Sequence, residues 1–546
     1  MFPVLALPLP SMPGPRFAAE PMVLGGLGIS PTTQVEQAAT KQGLRLVTSR
    51  HDAFLFASHA VANWFSDVAE GVYWNPLDRS VKPASAEGAR VHAMSAGLEF
   101  TITGPALHND LLGIQPLYWM QSGEGVMFSN WMGALTAMRG DLNEDDAAWT
   151  STLLVGFAPI GRTVFREVSS LPPNSTLSVT GGKPQVISGP LDIPVGTGSD
   201  LIPAIRQALP PPRQPAVYTL SGGWDSRLLA SIASGRRLGR RIETWTTGKD
   251  DGAGIDLYLA RPVARALRSD HYERLPGIDY WPASVDEALT RFEYSTWDHV
   301  WLAPLASAVR QRRRPVVDGL AGDVLLKGLF QDPEDDRKGS SVDARRGLWL
   351  KLGGRFSQND VVWSDEALRR FENAFEDFDS SIQGLRDQTT WQTLTVLVTR
   401  TARTIGLSPL RLFGPEVPIY LPFVTLPVLA SALGPDVHPH RGSDFYRALI
   451  SSISPKLGGL PSTNDEGIEA PEVHRIGHLE TPALEKMVET IRDQGPALEL
   501  LGPGMRNAIA AGDPDALRGA MARYHSRVLW SVHAYAAWRT AHGMPG

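Results

Sequence analysis

Along the first third of the chain, apolar and polar residues alternate in short runs broken by Gly, Asn or Asp, the period-two pattern of half-buried strands. The runs are Arg45 to Val47, Phe54 to Ala57, Gly71 to Trp74, Arg90 to Ser95, Leu98 to Ile102, Leu117 to Gln121 and Val126 to Ser129. They predict packed antiparallel sheets. A helical period follows over Glu144 to Val155, and Ser175 to Val179 returns to strand before Gly181-Gly182-Lys183 turns the chain. Between about Ile187 and Ser199 the sequence is rich in Gly, Pro and Ser and has no period, which predicts a linker. Beyond it the pattern changes. Ala216 to Leu220, Ile242 to Thr247 and Pro315 to Val317 read as strands separated by helical stretches, as in a parallel sheet covered by helices. From about Val342 the period is mostly helical, and polar Asp332 to Ser341 reads as a mobile loop or a merely solvated connection. No internal repeat interrupts this order.

The expected fold class is therefore α/β, with an antiparallel β-sheet sandwich over residues 1–190 and a parallel-sheet domain with a helical C-terminal part over 191–546. A length of 546 residues suits two or three domains. The net charge of -6 gives no one-sided field that would select nucleic acid. Its basic clusters, Arg236-Arg237 with Arg240-Arg241 and Arg310 with Arg312-Arg313-Arg314, fall at helix ends, where cations complement the dipole. Met1 to Pro15 is apolar but carries five prolines and no basic start, unlike a signal peptide. No apolar run reaches membrane-spanning length, so the expectation is a cytoplasmic protein that engages no membrane and no nucleic acid. Cysteine is absent from the whole sequence, which removes disulfides, thiolate metal sites and cysteine nucleophiles together.

The chemistry concentrates at Ser221-Gly222-Gly223-Trp224-Asp225-Ser226. An apolar run ending at Leu220 precedes it, and Leu228, Leu229 and Ile232 follow at helical spacing. In a strand, glycine turn and helix of this kind, Gly222 and Gly223 let backbone approach a phosphate, while the helix N-terminus supplies positive potential. Ser221 and Ser226 add hydroxyl donors. The carboxylate of Asp225 would repel a phosphate unless a divalent cation lay between them, so a magnesium ligand is its natural role. The spacing matches neither GxxxxGK[ST] nor GxGxxG. It resembles the SGGxDS pyrophosphate loop of ATP pyrophosphatases, which form acyl-adenylates and release pyrophosphate.

A second segment, Asp318-Gly319-Leu320-Ala321-Gly322-Asp323, follows Pro315-Val316-Val317 and resembles the SGxGSDE segment of asparagine synthetases and β-lactam synthetases. Both motifs leave the carboxyl ends of strands, where ligands of open α/β sheets bind. The resemblance implies ATP and Mg2+ as cofactors, Asp323 as a second magnesium ligand, Asp318 and Gly319 near the ribose or α-phosphate, and Thr247 and Gly248 against adenine. Ser269-Asp270-His271-Tyr272-Glu273 looks like the family's HHE segment, in which His271 is read as structural.

The first domain carries the likeness further. Asp110-Leu111-Leu112-Gly113-Ile114-Gln115-Pro116-Leu117-Tyr118 with Val126-Met127-Phe128-Ser129-Asn130 is similar to paired motifs of class II glutamine amidotransferase domains, and Phe165 with Leu171-Pro172-Pro173-Asn174 extends it. Those glutaminases use an N-terminal cysteine as nucleophile. Position 2 is Phe2, so glutamine hydrolysis by that route is excluded, and an amine already on the substrate is the economical nucleophile.

Two branches of the family have abandoned glutaminase chemistry, the β-lactam synthetases and the lasso-peptide macrocyclases. Arg227 after the first motif, the substituted second motif, Asp444-Phe445-Tyr446-Arg447, Ser454-Pro455-Lys456-Leu457 and Leu460-Pro461-Ser462-Thr463 look more like the macrocyclase branch. That resemblance implies a ligase joining a peptide's N-terminal amine to an Asp or Glu side chain, with a precursor peptide as substrate and a leader-peptide-binding protein and leader peptidase as partners. Leu320 stands where relatives carry Glu or Tyr and cannot be a general base. The family's C-terminal lysine aligns with Ser443, leaving Arg441, Arg447 or Lys456 as substitutes. Glu293, Asp298 and Glu416 are the candidate base or amine anchor, and Trp281, Trp297 and Trp301 could line a peptide path or pack the core. Two other readings stay open: an amide or β-lactam ligase acting on a small substrate, and an inactive scaffold that binds nucleotide or peptide.

Overall fold

The computed structural model describes residues 22–31, 33–41, 43–50, 52–59, 65–68, 71–75, 95–139, 141–236, 240–248, 254–275, 281–332, 340–359, 361–388, 390–413, 417–465, 468, 481–512 and 527–544. The chain forms two compact units, one of residues 1–148, 159–192 and 414–419, the other of residues 149–158, 193–413 and 420–546.

The first unit holds two six-stranded sheets. Its strands are β1 (Val23–Leu27), β2 (Leu44–Arg50), β3 (Ala53–Ser58), β4 (Phe65–Val68), β5 (Gly71–Trp74), β6 (Ala96–Thr101), β7 (Gly104–His108), β8 (Tyr118–Ser122), β9 (Gly125–Ser129), β10 (Ser169–Ser170), β11 (Ser175–Thr180) and β12 (Lys183–Ser188). One sheet runs β10-β8-β9-β1-β3-β2 and the other β12-β11-β7-β6-β5-β4. Every register between these strands is antiparallel. Alternate residues fill one interior between the sheets: Leu55, Ala57, Val126 and Phe128 from the first meet Val72, Trp74, Leu98, Leu107 and Leu177 from the second. The Asp110 motif is a turn wrapped around its own carboxylate. Leu112, Ile114 and Gln115 donate backbone N–H groups to Asp110 at 3.2, 3.0 and 2.9 Å, and Gly113 turns at φ 63°. Complete burial outweighs those donors and pushes the Asp110 carboxyl up to about 7.

Two expectations need correction here. The predicted linker begins too early, because Ile187 and Ser188 pair with Thr176 and Ser175 in β12. Lys183 likewise opens that strand, and the turn ahead of it rests on Gly181 and Gly182, at φ 58° and 74°. Of the strand predicted over Arg90 to Ser95, residues 90–94 lie outside the described residues.

The second unit is built on a five-stranded sheet, β15-β14-β13-β16-β17, from β13 (Val217–Thr219), β14 (Glu243–Thr246), β15 (Asp270–Glu273), β16 (Val316–Val317) and β17 (Ile419–Tyr420). Parallel pairing joins β13 to β14, β14 to β15 and β13 to β16. Helices Trp224–Arg236 and Gly254–Leu267 follow β13 and β14, helix Ala303–Arg310 leads into β16, and the remainder is helical up to Arg527–Ala541. The basic residues at the end of helix Ala303–Arg310 have partners outside that helix. Arg310 donates to Leu412 O at 2.6 Å, and Arg312 and Arg314 bind Glu243. The fold class is thus α/β, an antiparallel sandwich, a parallel sheet and a helical C-terminal part. Among the described residues no helix is long and apolar enough to cross a membrane.

Candidate active site at two neighbouring strand ends

Register brings the two motifs together. Tyr218 of β13 pairs with Val317 of β16, so the residues that follow, Thr219 and Asp318, emerge side by side. The Thr219 hydroxyl donates to Asp318 Oδ2 at 2.9 Å, and Leu320 N–H donates to Asp318 Oδ1 at 3.0 Å. Leu220 is held by β14, its N–H on Trp245 O at 2.8 Å and its carbonyl accepting from the Thr246 hydroxyl. The glycine turn then satisfies its own donors. Ser221 N–H donates to Ser226 Oγ at 3.0 Å, Gly223 N–H to Ser221 Oγ at 3.2 Å and Gly222 N–H to Asp256 Oδ1 at 2.9 Å. Thr463 N–H closes over the turn onto Gly222 O at 3.1 Å. Only glycine fits position 222, since a Cβ there would lie 2.7 Å from Thr463 Cγ2 and 3.0 Å from Leu259 Cβ.

The second motif packs directly on Asp225. A Cβ on Gly319 would meet Asp225 Cβ at 3.1 Å, and one on Gly322 would meet Asp225 Cγ and Tyr446 Oη, both at 2.8 Å. Between these glycines Ala321 holds φ 75°, a left-handed conformation uncommon for a residue with a side chain. Asp323 then opens a π-helical stretch to Lys327, the kind of turn often found at functional sites.

These contacts gather buried acids. Burial, with the neighbouring charge of Asp323, pushes Asp225 up to about 8, opposed by the Tyr446 hydroxyl and by Lys327. Burial also raises Asp323, opposed by Arg400 and Lys327, and raises Asp318. Such a cluster is unfavourable alone and is relieved by a cation. Among the described residues no three His, Cys, Asp or Glu side chains form a metal cage. Two carboxylates that leave the other positions to phosphate oxygens and water suit magnesium bound with a nucleotide, so Asp225 and Asp323 fit that ion.

A cavity of about 280 Å³ opens over these strand ends, lined by Leu220, Ser221, Asp225, Ser226, Trp245, Thr247, Asp318, Gly319 and Asp323, with His299, Trp301, Arg400 and Phe413 also among its lining residues. Gly248 is buried beyond Thr247 at the end of β14. The remaining expected residues lie elsewhere. Glu293 is buried, at φ 50°, against Arg411 at 3.5 Å. Asp298 stands 3.8 Å from Arg400. Arg447 pairs with Asp465 at 2.5 Å and covers the Trp224 ring. Lys456 is exposed, Arg441 donates to Thr393 Oγ1, and Glu416 lies outside the described residues. Trp301 faces the cavity, whereas Trp297 is buried with its indole N–H on Thr152 O. His271 is held by Thr244 Oγ1 and Glu273, away from these groups.

Sequence reasoning missed Lys327, whose ammonium reaches Asn464 Oδ1 and whose charge acts on both Asp225 and Asp323. It also missed Asp256, Arg400 and the role of Tyr446. Lys327 alone carried a local signal, four residues after Asp323 in the same turn. Arg227 is explained structurally. Fully buried, it donates to the carbonyls of Gly222, Leu457, Leu460 and Pro461, which ties the glycine turn to the segment above it.

No curated protein matches the chain. Residues 204–405, less than half of it, match the asparagine synthase family. That span contains both strand-end motifs, and its fold is that of an ATP pyrophosphatase. The match supports grouping this region with the asparagine synthetase-like, ATP-dependent amide ligases that form AMP and pyrophosphate.

Proposed function

We propose that the protein is an ATP-dependent macrolactam synthetase, which adenylates an Asp or Glu side chain of a precursor peptide and joins it to the peptide's N-terminal amine. The observation that carries the ligase reading is the packing of Asp225 against Gly319 and Gly322, which sets two acids from separate strand ends beside one glycine turn. The absence of cysteine supports the intramolecular amine, because the nucleophile needed to release ammonia from glutamine is missing. On this reading residues 1–190 are a degenerate amidotransferase-like domain.

Asp225 and Asp323 would hold magnesium, which neutralises charge on the triphosphate. Ser221 and Ser226 hydroxyls and the N-terminus of helix Trp224–Arg236 bind the β- and γ-phosphates. Thr247 and Trp245 border the end of the cavity where the base would lie. The substrate carboxylate attacks the α-phosphorus and pyrophosphate leaves. The tethered amine then attacks the acyl carbon, AMP departs, and one proton is released. Positioning supplies much of the rate for such a tethered reaction. Leader-peptide-binding and leader-removing proteins would deliver the peptide.

Pyrophosphate exchange tests this reading. Exchange should require a peptide bearing an accessible Asp or Glu, and the product should weigh one water less than the peptide. Exchange with free aspartate alone would favour a ligase of small substrates instead. A folded Asp225→Ala variant that still forms product would remove the assigned chemistry.

A further inference from the structure

The acyl substrate must enter as a carboxylate, yet Asp225, Asp318 and Asp323 already line the cavity. An incoming anion there needs a cation to hold it against their field. Among the described lining residues Arg400 is the only guanidinium or ammonium group. Its position is unusual in three respects. Its Nη1 is enclosed and has no hydrogen-bond partner among the described residues. Its Nη2 lies 3.8 Å from Asp298 Oδ2, beyond hydrogen-bond reach. Its guanidinium carbon stands 4.9 Å from the Phe330 ring centroid, held by a face that offers no acceptor of the carboxylate kind.

The charge of Asp298 is shared between Arg400 and Arg527. Arg527 is half-buried, 4.8 Å over the Trp297 ring and 5.9 Å from the Phe356 ring, and both Asp298 and Arg400 act on it electrostatically, as does Arg355. One carboxylate thus acts on both Arg400 and Arg527. Arg400 sits within the π-helical stretch Leu397–Ile405, where Gly406 N–H reaches back five residues to Thr401 O at 2.7 Å. An enclosed arginine nitrogen left without an acceptor is costly, and a carboxylate accepting two N–H bonds is the best-matched ligand for the fork.

Resting on the ligase reading, we propose that Arg400 is the residue that grips the carboxylate to be adenylated, an aliphatic acid of the Asp or Glu side-chain type. A carboxylate is favoured over a nucleotide phosphate because the proposed reading already gives the phosphates the Ser221 and Ser226 hydroxyls and the N-terminus of helix Trp224–Arg236. The same cavity is lined by Trp301, Pro409 and Phe413, which suit methylene groups beside an acid head.

The test uses the full chain with Mg2+ and α,β-methylene-ATP, and two probes titrated by calorimetry: Nα-acetyl-glutamate α-amide and the uncharged Nα-acetyl-glutamine α-amide. Wild type should bind the acid about tenfold tighter than the amide, the worth of one charged pair. Arg400→Met should erase that preference, and Arg400→Lys should restore part of it, with nucleotide affinity unchanged within about threefold. Equal acid binding by a folded Arg400→Met, or no acid preference in wild type, overturns the assignment while leaving nucleotide binding and the ligase reading intact. Should Arg400→Met not fold, the wild-type preference and the lysine variant decide. Wild type that takes no nucleotide overturns the ligase reading itself, and this assignment with it.

Discussion

A methyl group on Gly322 would lie 2.8 Å from the carboxyl carbon of Asp225, closer than side-chain carbons ever approach. The second motif is therefore the wall that aims Asp225, and its glycines are required by that contact. Gly322→Ala should displace the carboxylate by a fraction of an ångström to an ångström and lower pyrophosphate exchange about a hundredfold. Gly235→Ala is the matched control. A Cβ there meets nothing within 4 Å, and in helix Trp224–Arg236 it should raise stability by about 1 kcal/mol without loss of exchange. Thermal midpoints and exchange rates measured on both variants decide the point.

Lys327 lowers the proton affinity of both Asp225 and Asp323. Lys327→Met should raise the pKa of both, so the acid limb of the pH–rate profile moves to higher pH. The KM for magnesium ATP should rise about tenfold, because both acids would then hold their protons against the metal more strongly. An unmoved acid limb would show that the ammonium is spent on Asn464 alone.

Arg227 is a keystone of hydrogen bonding. Its two terminal nitrogens serve Leu460 and Pro461 at 2.8 and 2.6 Å and Leu457 and Gly222 at 3.3 Å each. A lysine cannot present this fork. Arg227→Lys should cost about 3 kcal/mol in urea unfolding, since each buried carbonyl left unpaired costs about 1–3 kcal/mol. Nucleotide affinity should fall along with stability.

His533 gives the protein an acid-side instability. Burial, with a smaller contribution from Lys486, depresses its imidazole from 6.5 to about 4. The unfolded chain therefore binds this proton more readily than the folded one between those values. The stability that follows from the shift is complete above about pH 6.5 and is lost as pH falls toward 4, on the order of 3 kcal/mol at most. Asp225, raised in the fold, acts with the opposite sign, its contribution complete below about pH 4 and lost as pH rises through about 8. His533→Phe should flatten the fall in denaturant midpoint between pH 6.5 and 4. An unchanged slope would assign the acid sensitivity to other groups.

Much of the geometry was legible in sequence because it is local. A glycine turn between strand and helix must be contiguous, so Ser221 to Ser226 and Asp318 to Asp323 could be read directly. Sandwich strands with apolar residues on one face were readable by alternation. Strand β1 was not. It is buried throughout, and Gly25 and Gly26 replace the expected side chains because Phe128 and Phe54 fill their space, a Cβ on Gly25 falling 2.2 Å from Phe128 Cζ. Strand β12 was hidden for the opposite reason, being exposed along most of its length. Arg400, Asp256 and Tyr446 come to the site from separate helices by tertiary packing; nothing in their immediate neighbours marks Arg400 or Asp256, and the run around Tyr446 pointed to Arg447 instead. Lys456, by contrast, sat in a suggestive run and is on the surface.

Asp256 gives the site a resident anion. Its oxygen already holds the Gly222 amide, the donor a nucleotide's leaving group would seek at this turn. Any phosphate oxygen that takes that amide must evict a carboxylate of the protein itself, so affinity here would be the difference between two bound states, and in the proposed reaction departing pyrophosphate would have a built-in competitor waiting for its seat.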